Sequence, residues 1–436
     1  MRYIQYTKYG VCRNMSVLKS LTIPEELLNL KDVKIIESIV TRENEIIIRV
    51  QSTKKEIPCH RCSDMCTAHG KGTPMKLRHL SILGRKTYIE LTPLRGICKK
   101  CDTTTTQTLS WHKRNGRYTT PYEDHLLLSV VNSTIADVSL REGISDTAIQ
   151  NILDLRIDEK MDWKKIKKLG ILGADEISQK KGYQSFISII TSRVEGKTKV
   201  LALLKGREKS TIKAFFESIP SKKRKTIVAV CCDMYDGYIN AAREVFGESV
   251  AIVIDRFHVA KLYRKALVSL RKQELARLRQ ELTVEVYQSL KVAISILVKK
   301  QERYTSQEKQ TLESLFHYSP ALKAAYRLAR QFTALYNTHQ RKKTANKKIK
   351  TWIKTVQEKE ISCFNGFIAT LIKYQDSITN YFINRNTSGF VEGLNNKLKV
   401  IKRRCYGIFN IKHFFQRIYL DLEGYNLFLN NQSVAA

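Results

Sequence analysis

Residues 171–259 read, in order, ILGADEIS (171–178), YQSFISIITSRV (183–194), TKVLALLKG (198–206), STIKAFFESI (210–219), TIVAVCCDM (226–234), GYINAAREVFG (237–247) and VAIVIDRFHV (250–259). Three strand-like runs come first, followed by an amphipathic helical segment, a strand, a second helical segment and a last strand. Apolar residues fill both phases of most of these strands, as expected where both faces of a sheet are covered. The order predicts a layered α/β domain with a mixed sheet.

Three aspartates fall on these strands: Asp175 in the first, Asp233 at the end of the fourth, and Asp255 at the end of the fifth. A carboxylate ending a buried apolar strand is costly without a partner, which favours a metal role. Phosphodiester chemistry with two divalent ions needs carboxylates converging from different elements onto ions roughly 3.5–4 Å apart. An RNase H-like sheet meets that need with one acid on its first strand, one at the end of its fourth and one from a late helix. Here Asp175, Asp233 and Glu392, the last in SGFVEGLNNKLK (388–399), fit those places. The competing reading makes Asp233 a cap for the helix starting near Tyr235 and Asp175 a strand-end salt-bridge partner. Other acids compete as well. Glu176 should point to the opposite face of the strand, and Asp236 lies one helical turn beyond Asp233. Asp255 is the main rival, either binding metal or organising Arg256 and His258, with His258 a general base, a support to a metal ligand or a DNA contact.

Downstream the texture changes. Between 259 and 385 there is one proline, Pro320, and one glycine, Gly366, so long helices are expected. Residues 259–350 carry 21 Lys+Arg against 6 Asp+Glu, which makes most of that helical surface basic. On a helix, Glu392 and Asn396 share a side that Lys399 and Arg403 continue. Lys397, Lys399, Lys402, Arg403 and Arg404 are candidates for backbone phosphates. The plain alternative is a solvated helix face.

Upstream, VKIIESIVTRENEIIIRV (33–50) reads as a hairpin around Arg42-Glu43-Asn44, with further strand-like runs at 75–82 and 86–97. Cys59-His60-Arg61-Cys62 and Cys98-Lys99-Lys100-Cys101 enclose 35 residues of β character. Each CxxC can place two thiolates on one turn, so Cys59, Cys62, Cys98 and Cys101 are read as a structural Zn²⁺ ribbon, its knuckles joined through a small sheet. Cys66, His60 and His69 are bystanders. IADVSLREGISDTAIQNILDL (135–155) has the grammar of a helix-turn-helix: Gly143 for the turn, Ser145 as N-cap, and Ile149 and Ile152 to bury the second helix. Thr147, Gln150 and Asn151 would then face the major groove. An ordinary helical hairpin is the competing reading.

The whole chain of 436 residues carries 76 Lys+Arg against 41 Asp+Glu, a formal charge of +35. Such an excess repels itself and implies a large polyanion, nucleic acid first. No apolar run approaches the roughly 20 residues of a spanning helix, and MRYIQYTKYGVCRNM lacks a signal-like core. The expectation is a cytoplasmic, nucleoid-associated protein without a membrane partner.

Together these residues resemble the bacterial insertion-sequence transposases of the ISL-three family. The resemblance rests on the doubled CxxC, the helix-turn-helix, Asp175-Glu176, CDMYDGY (232–238), VIDRFHV (253–259) and SGFVEGLNNKLKVIKRRCYGIFNIKHFFQRI (388–418). It implies a multidomain α/β protein in five parts. These are an N-terminal β region with zinc ribbon (1–110), a helix-turn-helix region (111–165), the first part of an RNase H-like core (166–259), a basic helical insertion (260–385), and core C-terminal helices carrying Glu392 (386–436). It also implies Mg²⁺-dependent (or Mn²⁺-dependent) cleavage and transfer of double-stranded DNA at terminal inverted repeats, by Asp175, Asp233 and Glu392, in a homo-oligomer assembled on element ends and target. Two alternatives stand beside it. One is a catalytically silent, transposase-derived DNA-binding regulator, which loss of a triad acid would betray. The other is a nuclease or resolvase without strand transfer, which a joining assay would separate.

Overall fold

Asn44, in the left-handed region at φ 61°, closes the hairpin expected around Arg42-Glu43-Asn44, whose arms run antiparallel from Val33↔Ser52 to Val40↔Ile46. The computed structural model describes residues 3–5, 13–15, 17–158, 160–178, 186–299, 303–387 and 389–429. Two units are distinguished, Met1–Asp158 with Gln416–Ala436, and Glu159–Phe415.

In the first unit β1 (Tyr3–Gln5) pairs with β2 (Arg13–Met15). Then come β3 (Val17–Ser20), the short helix α1 (Glu25–Leu28), and the hairpin strands β4 (Val33–Thr41) and β5 (Ile46–Ser52). Six more strands follow: β6 (Glu56–Pro58), β7 (Met65–Lys71), β8 (Met75–Ile82), β9 (Arg85–Leu91), β10 (Leu94–Cys98) and β11 (Thr103–Thr106). They form two larger sheets, ordered β3-β4-β5-β9-β8 and β11-β10-β7-β6. The segment between the two CxxC pairs therefore does not simply join the knuckles through one sheet. Its middle strands leave to pair with the N-terminal hairpin, β5 running parallel to β9 from Ile46↔Thr87 to Val50↔Leu91. The reason is burial: Ile46, Ile48 and Val50 share one core with Leu77, Ile89, Leu91, Leu109 and Trp111, and the period of two puts them on one face.

Three helices follow, α2 (Thr120–Val130), α3 (Ile135–Glu142) and α4 (Asp146–Arg156). Thr134 Oγ1 accepts from Asp137 N and Ser145 Oγ from Ala148 N, so both later helices are capped as their sequences require. Gly143 takes the left-handed conformation, φ +65°, between them. Val138, Ile149, Ile152 and Leu153 are buried against Tyr122, Leu126, Leu127 and Val130, and against Leu420 and Phe428 from the end of the chain. Arg156 pairs with the buried carboxylates of Glu123, at 2.9 Å, and Asp124. Residues 416–428 were expected among the core C-terminal helices but pack here. Gln416 donates to Asp154 Oδ1 (2.9 Å) and Ile157 O (3.0 Å). Arg417 donates to Val130 O and Ser133 O, and Asp421 accepts from Asn132 N. Burying polar groups of this kind is costly, and these bonds offset part of that cost.

The second unit opens with β12 (Gly170–Ser178), β13 (Phe186–Val194), β14 (Lys197–Lys205), α5 (Lys209–Ser218), the short α6 (Ser221–Arg224), β15 (Ile227–Cys232), α7 (Asp236–Phe246) and β16 (Ala251–Ile254). That is the strand and helix order expected, with the short α6 added before β15. The sheet runs β14-β13-β12-β15-β16, with β12 at its centre, antiparallel to β13 and parallel to β15. Helices then dominate: α8 (Arg256–Glu281), α9 (Val284–Lys291), α10 (Ala293–Val298), α11 (Ser306–Tyr318), α12 (Pro320–Asn337), α13 (Lys342–Glu358), α14 (Asn365–Lys373), α15 (Gln375–Thr379), α16 (Tyr381–Asn384), α17 (Gly389–Arg404) and α18 (Ile411–Phe428), whose last thirteen residues are those of the first unit.

Helices α8, α12, α13 and α14 join the core of the sheet through aromatic rings. Phe332 is fully buried, with its ring centroid 5.3 Å from Tyr263, 4.9 Å from Trp352 and 5.0 Å from Phe367. Truncating it leaves a cavity that the rigid rings cannot fill. Phe332→Ala should therefore lower the stability of this unit by about 3–5 kcal/mol. Urea unfolding followed by tryptophan fluorescence checks this, and a loss under about 1 kcal/mol would mean the cluster repacks freely.

Candidate functional site

Strand register brings the acids together. Ala174 is level with Cys232, and Cys232 with Ile254, so Asp175, Asp233 and Asp255 follow three laterally aligned positions on neighbouring parallel strands. Asp175 Oδ1 accepts from Glu176 N at 2.8 Å, and its Oδ2 accepts from Asn395 Nδ2 at 2.6 Å. Asp233 Oδ1 is buried without a hydrogen-bond partner, and so is Asn395 Oδ1. Two orphaned oxygens, one carboxylate and one amide, beside the Asp175 carboxylate form a donor set suited to a hard divalent cation.

Electrostatics agree. Burial pushes the Asp233 carboxyl up to about 6, with Glu176 and Asp175 adding to the rise and His258 opposing it. Asp175 is also raised, by burial first and then by Asp255, against its bond from Glu176 N and the charges of His258 and Lys399. Carboxylates so placed repel one another, and a bound cation is what relieves them.

Of the rival acids, Glu176 and Asp236 are engaged elsewhere, whereas Asp255 stays in the row and caps a helix. Glu176 accepts from Arg207 Nη1 at 2.9 and 3.1 Å, and that guanidinium lies over Phe186 and Tyr235. Asp236 takes Lys373 Nζ at 2.6 Å and Tyr374 Oη at 2.8 Å, which hold its carboxyl below the usual range. Asp255, 3 % exposed, caps α8 by accepting from Phe257 N at 3.1 Å. Arg256 turns to Asn337 and to the ring of Tyr336, whereas His258 faces Asp175 and Asp233.

Glu392 falls on α17, but its side chain lies outside the described residues. The amide on the site side of that helix is Asn395, which sequence reasoning passed over for Asn396; Asn395 is buried and Asn396 exposed. The burial of Leu398 and Ile401 on the same helix carries the signal, because it sets the helix phase. Lys402 donates to Ser178 O at 3.0 Å, and Arg403 donates to Lys399 O at 3.3 Å. Lys397 and Lys399 are exposed, whereas Arg404 is not fully so, its Nε being buried. Beside Asp233 and His258, a cleft of about 590 Å³ is lined by Lys261, Lys265, Lys373 and Tyr374. It gathers three amines around the same cleft as Asp233.

In the first unit the Sγ atoms of Cys59, Cys62, Cys98 and Cys101 lie within 4.8 Å of one another. Each CxxC follows a strand of the β11-β10-β7-β6 sheet, β6 before Cys59 and β10 ending at Cys98. Backbone N–H groups of Cys62 and Arg61 pull the Cys59 thiol down to about 5, so it is ready to bind as thiolate. Cys66 donates to Asp64 O, and His60 meets Thr105 Oγ1, so neither joins the four. On α4, Thr147 and Asn151 are exposed. Gln150 instead donates to Asp154 and Gln416 at 3.1 Å each, which turns it from the expected groove face.

Residues 172–418 match a family model described as a transposase, the DDE type of family ISL3, and residues 107–157 match the helix-turn-helix domain of transposase family ISL3. The chain belongs to the ISL3 transposases. It is 25 % identical over 375 residues to the transposase for insertion sequence element IS1001 of Bordetella parapertussis, covering 85 % of this chain and 90 % of that protein. The transposase thus carries a helix-turn-helix DNA-binding domain, and its family implies an enzyme that cuts or transfers DNA with divalent metal. No helix among its described residues is long and apolar enough to cross a membrane.

Proposed function

We propose that this transposase binds the inverted-repeat ends of an insertion sequence as a homo-oligomer and cleaves and joins DNA at Asp175, Asp233 and Glu392. The observation that carries the reading is the row of acids at laterally aligned positions on neighbouring strands, with buried, unpartnered oxygens on Asp233 and Asn395. The sheet order β14-β13-β12-β15-β16, with three antiparallel strands leading into two parallel ones, supports an RNase H-like core. On this reading 166–259 begins that core, 260–385 is a basic insertion, and α17 returns Glu392 to it.

Asp175, Asp233 and Glu392, with Asn395 Oδ1, would hold Mg²⁺ or Mn²⁺. Such cations lower the pKa of an attacking hydroxyl and neutralise charge gathering on the phosphate oxygens. The rest falls to the chain. Lys261, Lys265 and Lys373 line the cleft where a phosphodiester strand can lie against Asp233. Asn395 fixes the rotamer of Asp175, and Asp255 fixes the start of α8 and so the place of His258. Incubating the protein with Mg²⁺ and DNA carrying the element's own ends should yield nicked and joined products. Intact DNA after prolonged incubation with protein shown to bind those ends would count against the proposal.

Asp255 serves here as a positioning residue, and Asn395 both orients Asp175 and offers its Oδ1 to the cation. Asn395→Ala should slow cleavage by about 10–100-fold with little change in KM for DNA, and Asp255→Asn should cost no more than that. Single-turnover kinetics check both. If Asp255→Asn were inactive while Asp233→Asn kept substantial activity, Asp255 would be the second ligand.

A further inference from the structure

Outside the acid site, the first unit holds a cationic pocket of about 420 Å³ between β8, β9, residues 117–118 and the turn joining α3 to α4. At its base is Arg78, 6 % exposed, whose Nη1 is buried without a hydrogen-bond partner. Its Nη2 donates to Ser81 Oγ at 3.1 Å, and its guanidinium carbon lies 5.4 Å from the ring centre of Tyr88 and 5.2 Å from that of Tyr122. The backbone around it is rigid: Arg78 N donates to Arg117 O, and Thr119 N to Arg78 O, both at 3.0 Å. At the rim are the exposed side chains of Lys86 and Arg117.

Acids nearby do not neutralise this set. Glu142 lines the pocket but accepts from Tyr122 Oη and His125 Nε2, both at 3.1 Å. Glu45 lies 4.0 Å from Lys76 and takes Tyr88 Oη at 3.4 Å. Arg78, Lys86 and Arg117 remain around one opening, and the Arg78 guanidinium keeps an unpartnered N–H. A buried guanidinium with an open donor calls for an anion, and a planar fork suits phosphate oxygens.

Position selects which anion. Gly143 borders the pocket, and a Cβ added there would come within 3.2 Å of Lys86 Nζ. Two residues later, at Ser145, α4 is capped, and α4 presents Thr147 and Asn151 to solvent. An anion held here therefore sits just before the N-terminus of the helix offered to the groove, where a duplex bound by α4 carries its backbone. We propose that Arg78, Lys86 and Arg117 form a phosphate clamp that grips one DNA backbone phosphate and sets the register of α4 on the duplex. The clamp rests on the reading of this protein as a DNA-end binder but not on the identity of its catalytic acids.

The test uses the full chain and a labelled duplex of arbitrary sequence, with binding measured by anisotropy across a salt series. The Lys86→Ala/Arg117→Ala double variant removes only exposed side chains, so its fold should be kept. Its affinity should fall about tenfold, and its log–log salt slope should lose about one unit, that of one phosphate contact. Arg78→Lys, which keeps the charge but not the fork, should weaken binding in the same direction, with circular dichroism to confirm folding. Unchanged affinity and slope in the double variant would overturn the clamp. So would inorganic phosphate, at constant ionic strength, raising the melting temperature of the parent but not of the double variant while their DNA slopes coincide. That result would assign the pocket to a small anion. Affinity and salt slope report on the clamp alone, whereas a failure of the acid site leaves binding intact and cleavage absent, so the two readings fail separately.

Discussion

Asp175→Asn, Asp233→Asn and Glu392→Gln should each leave DNA cleavage about a thousandfold or more below the parent while end binding stays within a few-fold. Each exchange keeps shape and removes one charge. Asp175 and Asp233 follow laterally aligned positions on adjacent strands, so loss of either misplaces whatever cation the pair holds. On the proposed reading, binding belongs to other surfaces, mainly the ribbon, the helix-turn-helix and the basic helices. Stability should move the other way. Burial raises the Asp233 carboxyl to about 6, above the usual carboxylate range, so the folded state binds this proton more tightly than the unfolded one. The parent without metal then loses stability as pH rises toward 6, and the penalty persists above it. Asp233→Asn removes that penalty. At pH 7 without divalent cation it should melt above the parent, with the difference closing as the pH is lowered toward 4. A variant that is inactive yet more stable cannot be dismissed as misfolded. Cleavage at parental rates by all three variants would end the Asp–Asp–Glu reading.

Much of this site was legible because its signals are local. The runs ILGADEIS, TIVAVCCDM and VAIVID announce strands by composition, and an acid at the end of such a run stands out against its apolar neighbours. Gly143 and Ser145 likewise mark a turn and a cap by their own chemistry. What escaped depends on partners distant in sequence. Gln150 has the type and spacing of a base reader, but Gln416, 266 residues on, takes its amide inward. Nothing in the segment from Cys62 to Cys98 shows that β9 will lie parallel to β5 rather than between the knuckles. Arg256 looks like a companion of His258 until Asn337 and Tyr336 draw it away. Asn395 was within reach, since Leu398 and Ile401 define the buried side of α17, but choosing between adjacent asparagines required knowing which side meets β12.

Removing zinc should have the second large effect, confined to the first unit. The β11-β10-β7-β6 sheet has strands of three to seven residues, and its core is Ile57 with Cys59, Cys66 and Cys98, packed by Leu94. So small a core cannot offset the entropy of ordering its chain, and in such modules metal binding supplies the folding free energy, roughly 10–16 kcal/mol for structural zinc. Protein never exposed to chelator should therefore hold one tightly bound zinc per chain. Cys98→Ser, replacing a ligand that is 1 % exposed, should release it, unfold the ribbon and abolish end recognition, while residues 159–415 keep their helical signal and melting transition. Cys66→Ser is the control. Its thiol is buried like those of Cys59 and Cys98 and is pushed up to about 11, chiefly by burial, but it bonds to Asp64 O and stands outside the cluster. It should keep its zinc. Less than half an equivalent of metal in the parent would remove the ribbon reading. Equal zinc loss in both variants would show that the four thiols do not act as a closed set, because a site completed by Cys59, Cys62, Cys98 and Cys101 leaves no position for a fifth ligand.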